Sequence, residues 1–158
     1  VQDHYAHCEA LVREADKDRF LASLFAPADK RQHLFALYAF NLEIARVREV
    51  VREPLPGEMR LQWWRDALAG AGEGRAHPVA AALIDTISAC AVPIAPLLEL
   101  IEARSFDLYG DPMPDLAALE GYARKTSSAL IELAALILVG GNDPAIGAAA
   151  APGGIASA

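Results

Sequence analysis

Apolar residues recur every three or four positions along most of this chain, and Pro or Gly breaks the pattern at intervals. That rhythm predicts helix after helix and no strand. A first helix is expected over residues 3–15. A short one follows in "DRFLASLFAP" and stops at Pro27. Asp29 stands where an N-cap is expected, opening a long helix that runs to about Arg52. Leu34, Leu37, Phe40, Ile44, Val47 and Val51 form its one buried face.

Pro54 and Pro56 end that helix and start the next, "GEMRLQWWRDALAG", which Gly70, Gly72 and Gly74 close. Pro78 opens a helix through "VAAALIDTISACAV". Pro93 and Pro96 open another that reaches Leu108. "YGDPMPD" reads as a loop, with Asp115 as N-cap of one continuous helix over residues 116–139 that ends at Gly140-Gly141. The expected architecture is an all-α helical bundle, one domain over residues 1–158. The Ala- and Gly-rich tail from Asn142 reads as cut, so further C-terminal helices are expected beyond it. Their absence would expose apolar surface and favour self-association into a homo-oligomer.

Composition agrees with a globular chain: 54% of residues are apolar and 22% are charged. The formal charge of −7, with Lys and Arg scattered among acids, excludes a nucleic-acid footprint. The first residues do not read as a signal peptide. The most apolar run, "ALIELAALILVGG", is too short to span a bilayer and contains Glu132, so it reads as a buried helix. Two cysteines far apart, Cys8 and Cys90, predict free thiols, one near a mobile end and one buried.

Candidate chemistry is thin. His4 and His7 with Cys8 lack a third ligand and read as a solvated face. Ser127 and Ser128 sit in a helix without a nearby His and read as packing residues. "GAGEGR" lacks the Lys-Ser/Thr of a phosphate loop. Adjacent Trp63 and Trp64 point about 100° apart, so one belongs in the core and the other at an edge or pocket wall. Glu43, Arg46 and Glu49 are spaced to pair along a solvated flank.

"DRFLASLFAPADKRQHLFALYAFNLEIARVRE" resembles the opening of the squalene/phytoene synthase family, with Phe20, Pro27, Arg31, Tyr38 and Phe40 in place. The likeness continues through Pro78, Ala82, Thr86, Pro93 and Asp107, then through Tyr122 and Gly140. It implies an isoprenoid-synthase-like bundle. Family enzymes join two farnesyl or geranylgeranyl diphosphates head to head. Each of two helices presents Asp at i and i+4, so that paired carboxylates hold Mg²⁺ against the diphosphate. Laid onto this chain, the first motif's Asp positions fall on Ala45 and Glu49. The acid after the first falls on Arg46, and the upstream Arg falls on Leu42. The small residues that let substrate pass fall on Thr126, Ser127 and Ser128, and a Ser falls on Arg19.

One carboxylate beside an added guanidinium is a poor magnesium site. No metal ligand set and no cofactor is therefore expected, Mg²⁺ entering only if the chain is an enzyme. The departures resemble the branch that includes mitochondrial complex I assembly factors and their bacterial homologues. The resemblance then implies a non-catalytic protein that binds an isoprenoid or lipid, or that helps assemble respiratory-complex subunits. Its implied location is cytoplasmic, peripheral at the inner membrane. Arg31, Tyr38, Leu42, Ala45, Glu49, Trp64 and Tyr122 are the pocket residues it implies, with Glu49 the retained acid. An active prenyl transferase using Glu49 and an intact second motif is the alternative. A ligand-free helical interaction domain is the third reading.

Overall fold

The structure is a computed structural model and describes residues 2–71 and 74–140. Among them every regular element is helical. Helix α1 spans Gln2–Ala15 and α2 spans Lys17–Ser23. The break falls at Asp16, whose carboxylate accepts from the Arg19 N–H at 3.1 Å and caps α2. Helix α3, Ala28–Val50, starts one residue before Asp29, because extended Pro27 takes the N-cap place. Asp29 instead lies in the first turn, where a negative charge suits the helix dipole.

Helix α4 spans Pro54–Leu68, and Gly70 follows with φ +80. A 3-10 turn over Gly74–Ala76 leads to α5, Pro78–Cys90, whose N-cap is His77. Helix α6 spans Ile94–Asp107. Asp115 caps α7, Leu116–Ala123, by accepting from the Ala118 N–H at 2.8 Å, as its position predicts. The expected continuous final helix is interrupted. A π-helical turn, Arg124–Ser128, separates α7 from α8, Ala129–Val139. Thr126 donates to the Tyr122 carbonyl at 2.8 Å inside that turn, a competition with the helix's own bonding that such a turn accommodates. Gly140 ends α8 with φ +74. Gly72, Gly141 and the tail from Asn142 lie outside the described residues.

Helix α3 is the centre of the bundle and touches α1, α2, α4, α5, α6 and α8. The single-stripe expectation is therefore too narrow. His33 through Leu37 are all buried, as are Ala39, Phe40 and Asn41, because α1, α5 and α8 enclose this half of α3 from several sides. Leu34, Leu37, Phe40, Ile44 and Val47 are in the core, but Val51 is the extended C-cap and only half-buried. Cys8 is not at a loose end. It is fully buried because α1 packs along α3 and α5.

Helices α4 and α6 close against one another through Gly57. A Cβ there would lie 2.6 Å from Leu108 Cδ2, so the glycine permits the approach. Helix α8 packs against α3, and its Leu138 lines one groove with Leu34 and Tyr38 of α3. Among the described residues, no helix is long and apolar enough to cross a membrane.

Candidate functional site

Tyr38, Leu42, Ala45 and Glu49 follow one another by about one turn on α3 and share a flank. Tyr38 is half-buried. The Arg19 guanidinium covers its ring at 5.7 Å from the centroid, and Arg19 is itself held by Asp16 at 2.6 Å. Burial raises the Tyr38 hydroxyl above its ordinary range, and the Arg19 charge opposes that shift. Leu42 is half-buried against the core, Ala45 and Arg46 are half-buried, and Glu49 is exposed. The expected pairing among Glu43, Arg46 and Glu49 is not made: no ion pair joins them.

The other predicted residues stand elsewhere. Arg31 ties down the loop before α3, its Nη2 donating to the Leu24 carbonyl at 3.0 Å and the Ala26 carbonyl at 3.2 Å. It also lines a pocket of about 270 Å³ with Tyr5, Glu9 and Gln32. Trp64 is in the core, edge-on to Phe40 at 5.2 Å, while its neighbour Trp63 is 37% exposed, which is the division their adjacency predicts. Tyr122 donates to Asp107 at 2.8 Å and accepts from Arg104 at 2.8 Å. That cluster borders a surface pocket of about 450 Å³ walled by Phe106, Met113 and Pro114. Burial and the Asp107 bond push the Tyr122 hydroxyl up to about 12.

Tyr38 also lines an open groove of about 320 Å³ with Phe25, Leu34 and Leu138. Phe25 is 92% exposed at its rim. This groove offers apolar walls and little that could act as an acid, base or nucleophile. The α3 flank does not fit a magnesium ion. Glu49 is the one carboxylate among its four positions, and the half-buried Arg46 lies one turn before it. Among the described residues, no group of three or more His, Cys, Asp and Glu side chains is placed to hold a metal ion. His7 is exposed, whereas neighbouring Cys8 is buried.

Two polar clusters lay outside the sequence reading. Tyr5, His33, Asp85 and Thr86 meet where α1, α3 and α5 join. Glu43 and His77 face one pocket beside the tryptophans. Neither pairing has a local spacing signal, because each joins residues far apart in the chain.

Residues 12–158 match the squalene/phytoene synthase family. The chain is 33% identical over 138 residues to the NADH dehydrogenase (ubiquinone) complex I, assembly factor 6 of Homo sapiens, a match over 86% of this chain. The homologous factor of Drosophila melanogaster is 32% identical over 143 residues, covering 85% of this chain and 42% of its own. The phytoene synthase of Arthrospira platensis is 27% identical over 110 residues, covering 67% of this chain and 35% of its own. The chain spans 41% of the human relative's length.

Proposed function

The chain belongs to the squalene/phytoene synthase family, and on that premise we propose that it is a non-catalytic member that supports assembly of a respiratory NADH dehydrogenase. The observation that carries this reading is the α3 flank, where Ala45 and Glu49 occupy the i, i+4 pair and Arg46 adds a positive charge. A flank of that composition does not gather the metal needed to neutralise a leaving diphosphate. The likeness to complex I assembly factors supports the second half of the reading. Its partners are then respiratory-complex subunits, and its place is the cytoplasmic side of the inner membrane, bound peripherally. Residues 1–158 act as one domain in this account.

Two measurements test it. The protein with farnesyl or geranylgeranyl diphosphate and Mg²⁺ releases no pyrophosphate above the protein-free rate. Sustained release that depends on Glu49 would sink the non-catalytic reading and restore the prenyl transferase. A chimera in which this chain replaces the matching residues of the human relative restores NADH dehydrogenase assembly in cells lacking that relative. Failure of a stably expressed chimera would remove the assembly role.

The groove beside Tyr38 favours a second reading, in which the protein also holds a neutral isoprenoid or lipid chain. Phe25, Leu34 and Leu138 supply apolar walls there, and Ala45 in place of an acid keeps the adjoining flank suited to an uncharged ligand. Arg31, Leu42, Trp64 and Tyr122 are the further contacts this reading assigns. Phe25→Asp lowers retention of a fluorescent isoprenol if it holds, and leaves retention unchanged if it does not.

A further inference from the structure

A different pocket, on another side of α3, carries recognition chemistry of its own. Both tryptophans of the chain stand there with His77. The ring centroids of Trp63 and Trp64 are 5.1 Å apart, those of Trp63 and His77 5.3 Å, and those of Trp64 and His77 5.6 Å. Trp64 is braced from behind by Phe40, so it is fixed, while Trp63 remains open to solvent on one side. Glu43 and Val47 from α3 and Arg60 from α4 complete the lining of a pocket of about 180 Å³.

Glu43 is half-buried, yet among the described residues none forms a hydrogen bond or ion pair with its carboxylate, and none pairs with Arg60. The His77 Nδ1 is already engaged by the Ala80 N–H at 3.4 Å. The pocket thus brings together two indoles, one imidazole, an unpaired carboxylate and an unpaired guanidinium.

We propose that this pocket binds a zwitterion of the phosphocholine type, its alkylated ammonium against the indoles and Glu43 and its phosphate at Arg60. Three features point to that class. Indole faces attract alkylated ammonium groups, and the ammonium supplies the countercharge that the half-buried Glu43 carboxylate otherwise lacks. Arg60 repels a simple cation but offers a charge-assisted pair to a linked phosphate. The volume is below the roughly 300 to 1,000 Å³ of drug-sized ligand sites, so it suits a headgroup and not an isoprenoid chain. Burial also holds the His77 ring below the ordinary imidazole range, so it adds no competing positive charge at neutral pH. The site is separate from the α3 flank and does not rest on the assembly reading.

The test is a titration of phosphocholine into the full chain, followed by tryptophan fluorescence. Both tryptophans line the pocket, so the signal has no other source. A saturable change is expected, weakened about tenfold or more in Glu43→Gln. Arg60→Gln is expected to weaken phosphocholine and to strengthen choline, because the repelling charge is gone. No saturable change, or full retention of affinity in Glu43→Gln, overturns the proposal. Should Glu43→Gln fail to fold, Arg60→Gln decides it: Arg60 is exposed and unpaired, and an unaltered preference for phosphocholine over choline overturns the proposal. Phosphatidylcholine vesicles form the second arm. A Glu43-dependent response to them supports the site with a lipid source, and a response to free phosphocholine alone supports it with a soluble one.

Discussion

The Tyr5 hydroxyl donates to the Asp85 carboxylate at 2.6 Å, joining α1 to α5 across 80 positions of sequence. The same hydroxyl lies 3.1 Å from His33 Nδ1, which in turn is 2.9 Å from Thr86 Oγ1. One phenol therefore links three helices, α1, α3 and α5.

Tyr5→Phe keeps the ring and removes the link. Asp85 and His33 each lose one partner, while Thr86 remains to His33. The expected loss is about 1–2 kcal/mol, read from the urea midpoint at constant m-value. An unchanged midpoint would mean that water replaces the hydroxyl without cost.

Acid weakens this junction. Burial holds His33 below its ordinary 6.5, against the opposing charges of Asp85 and Asp29 and with help from Lys30. His77 is lowered by burial too, with Glu43 opposing and His7 assisting. Both rings take up protons more readily when unfolded, so the stability they confer is complete above about pH 6.5 and is lost as pH falls through the lower folded values. Urea midpoints measured from about pH 7.5 down to pH 5.5 should fall, and His33→Gln should flatten that slope. A slope identical in the variant would remove His33 from the account.

Both thiols should be unreactive in the folded chain. Cys8 is fully buried, and burial pushes its pKa up to about 12. Cys90 is buried and raised in the same way. A thiol-disulfide exchange reagent at neutral pH should label neither in the native protein and both after unfolding. Rapid native labelling of Cys8 would show that α1 detaches readily from α3.

Two glycines in helices should respond with opposite signs. Gly57→Ala drives a methyl into Leu108 and Val51, and the overpacking, about 1–3 kcal/mol, outweighs the helix-propensity gain of about 1 kcal/mol. Gly121 has nothing within 4 Å of a Cβ, so Gly121→Ala should stabilise by about 0.5–1 kcal/mol. Thermal melts of the two variants should move in opposite directions.

Much of the fold is legible in the residues. Pro54, Pro78 and Pro93 mark where α4, α5 and α6 begin, since the ring fits a first turn and interrupts an interior. Asp115 reads as a cap and is one. Trp63 and Trp64 divide into edge and core as a 100° step requires. Less legible is how deeply α3 is enclosed. Periodicity marks the face with the strongest pattern, but Ala36, Ala39 and Asn41 are buried because helices arrive from other sides. The π turn over Arg124–Ser128 was equally invisible, since an extra residue in a turn leaves no compositional mark.

The residues alone are enough to read helices throughout the described chain, where most of them start, and an α3 flank that carries Ala45, Arg46 and Glu49 rather than an acidic pair. These are properties of periods, caps and single positions, all short in range. Which distant groups meet is a matter of how the helices pack. Tyr5 with Asp85, Tyr122 with Arg104, and Glu43 with His77 are brought together by helix packing, and no local spacing encodes a contact between separate helices. The pocket of the two tryptophans belongs to that second kind. Its aromatic wall and its guanidinium are local to α4, Arg60 lying one turn before Trp64, while its carboxylate arrives with the packing of α4 against α3.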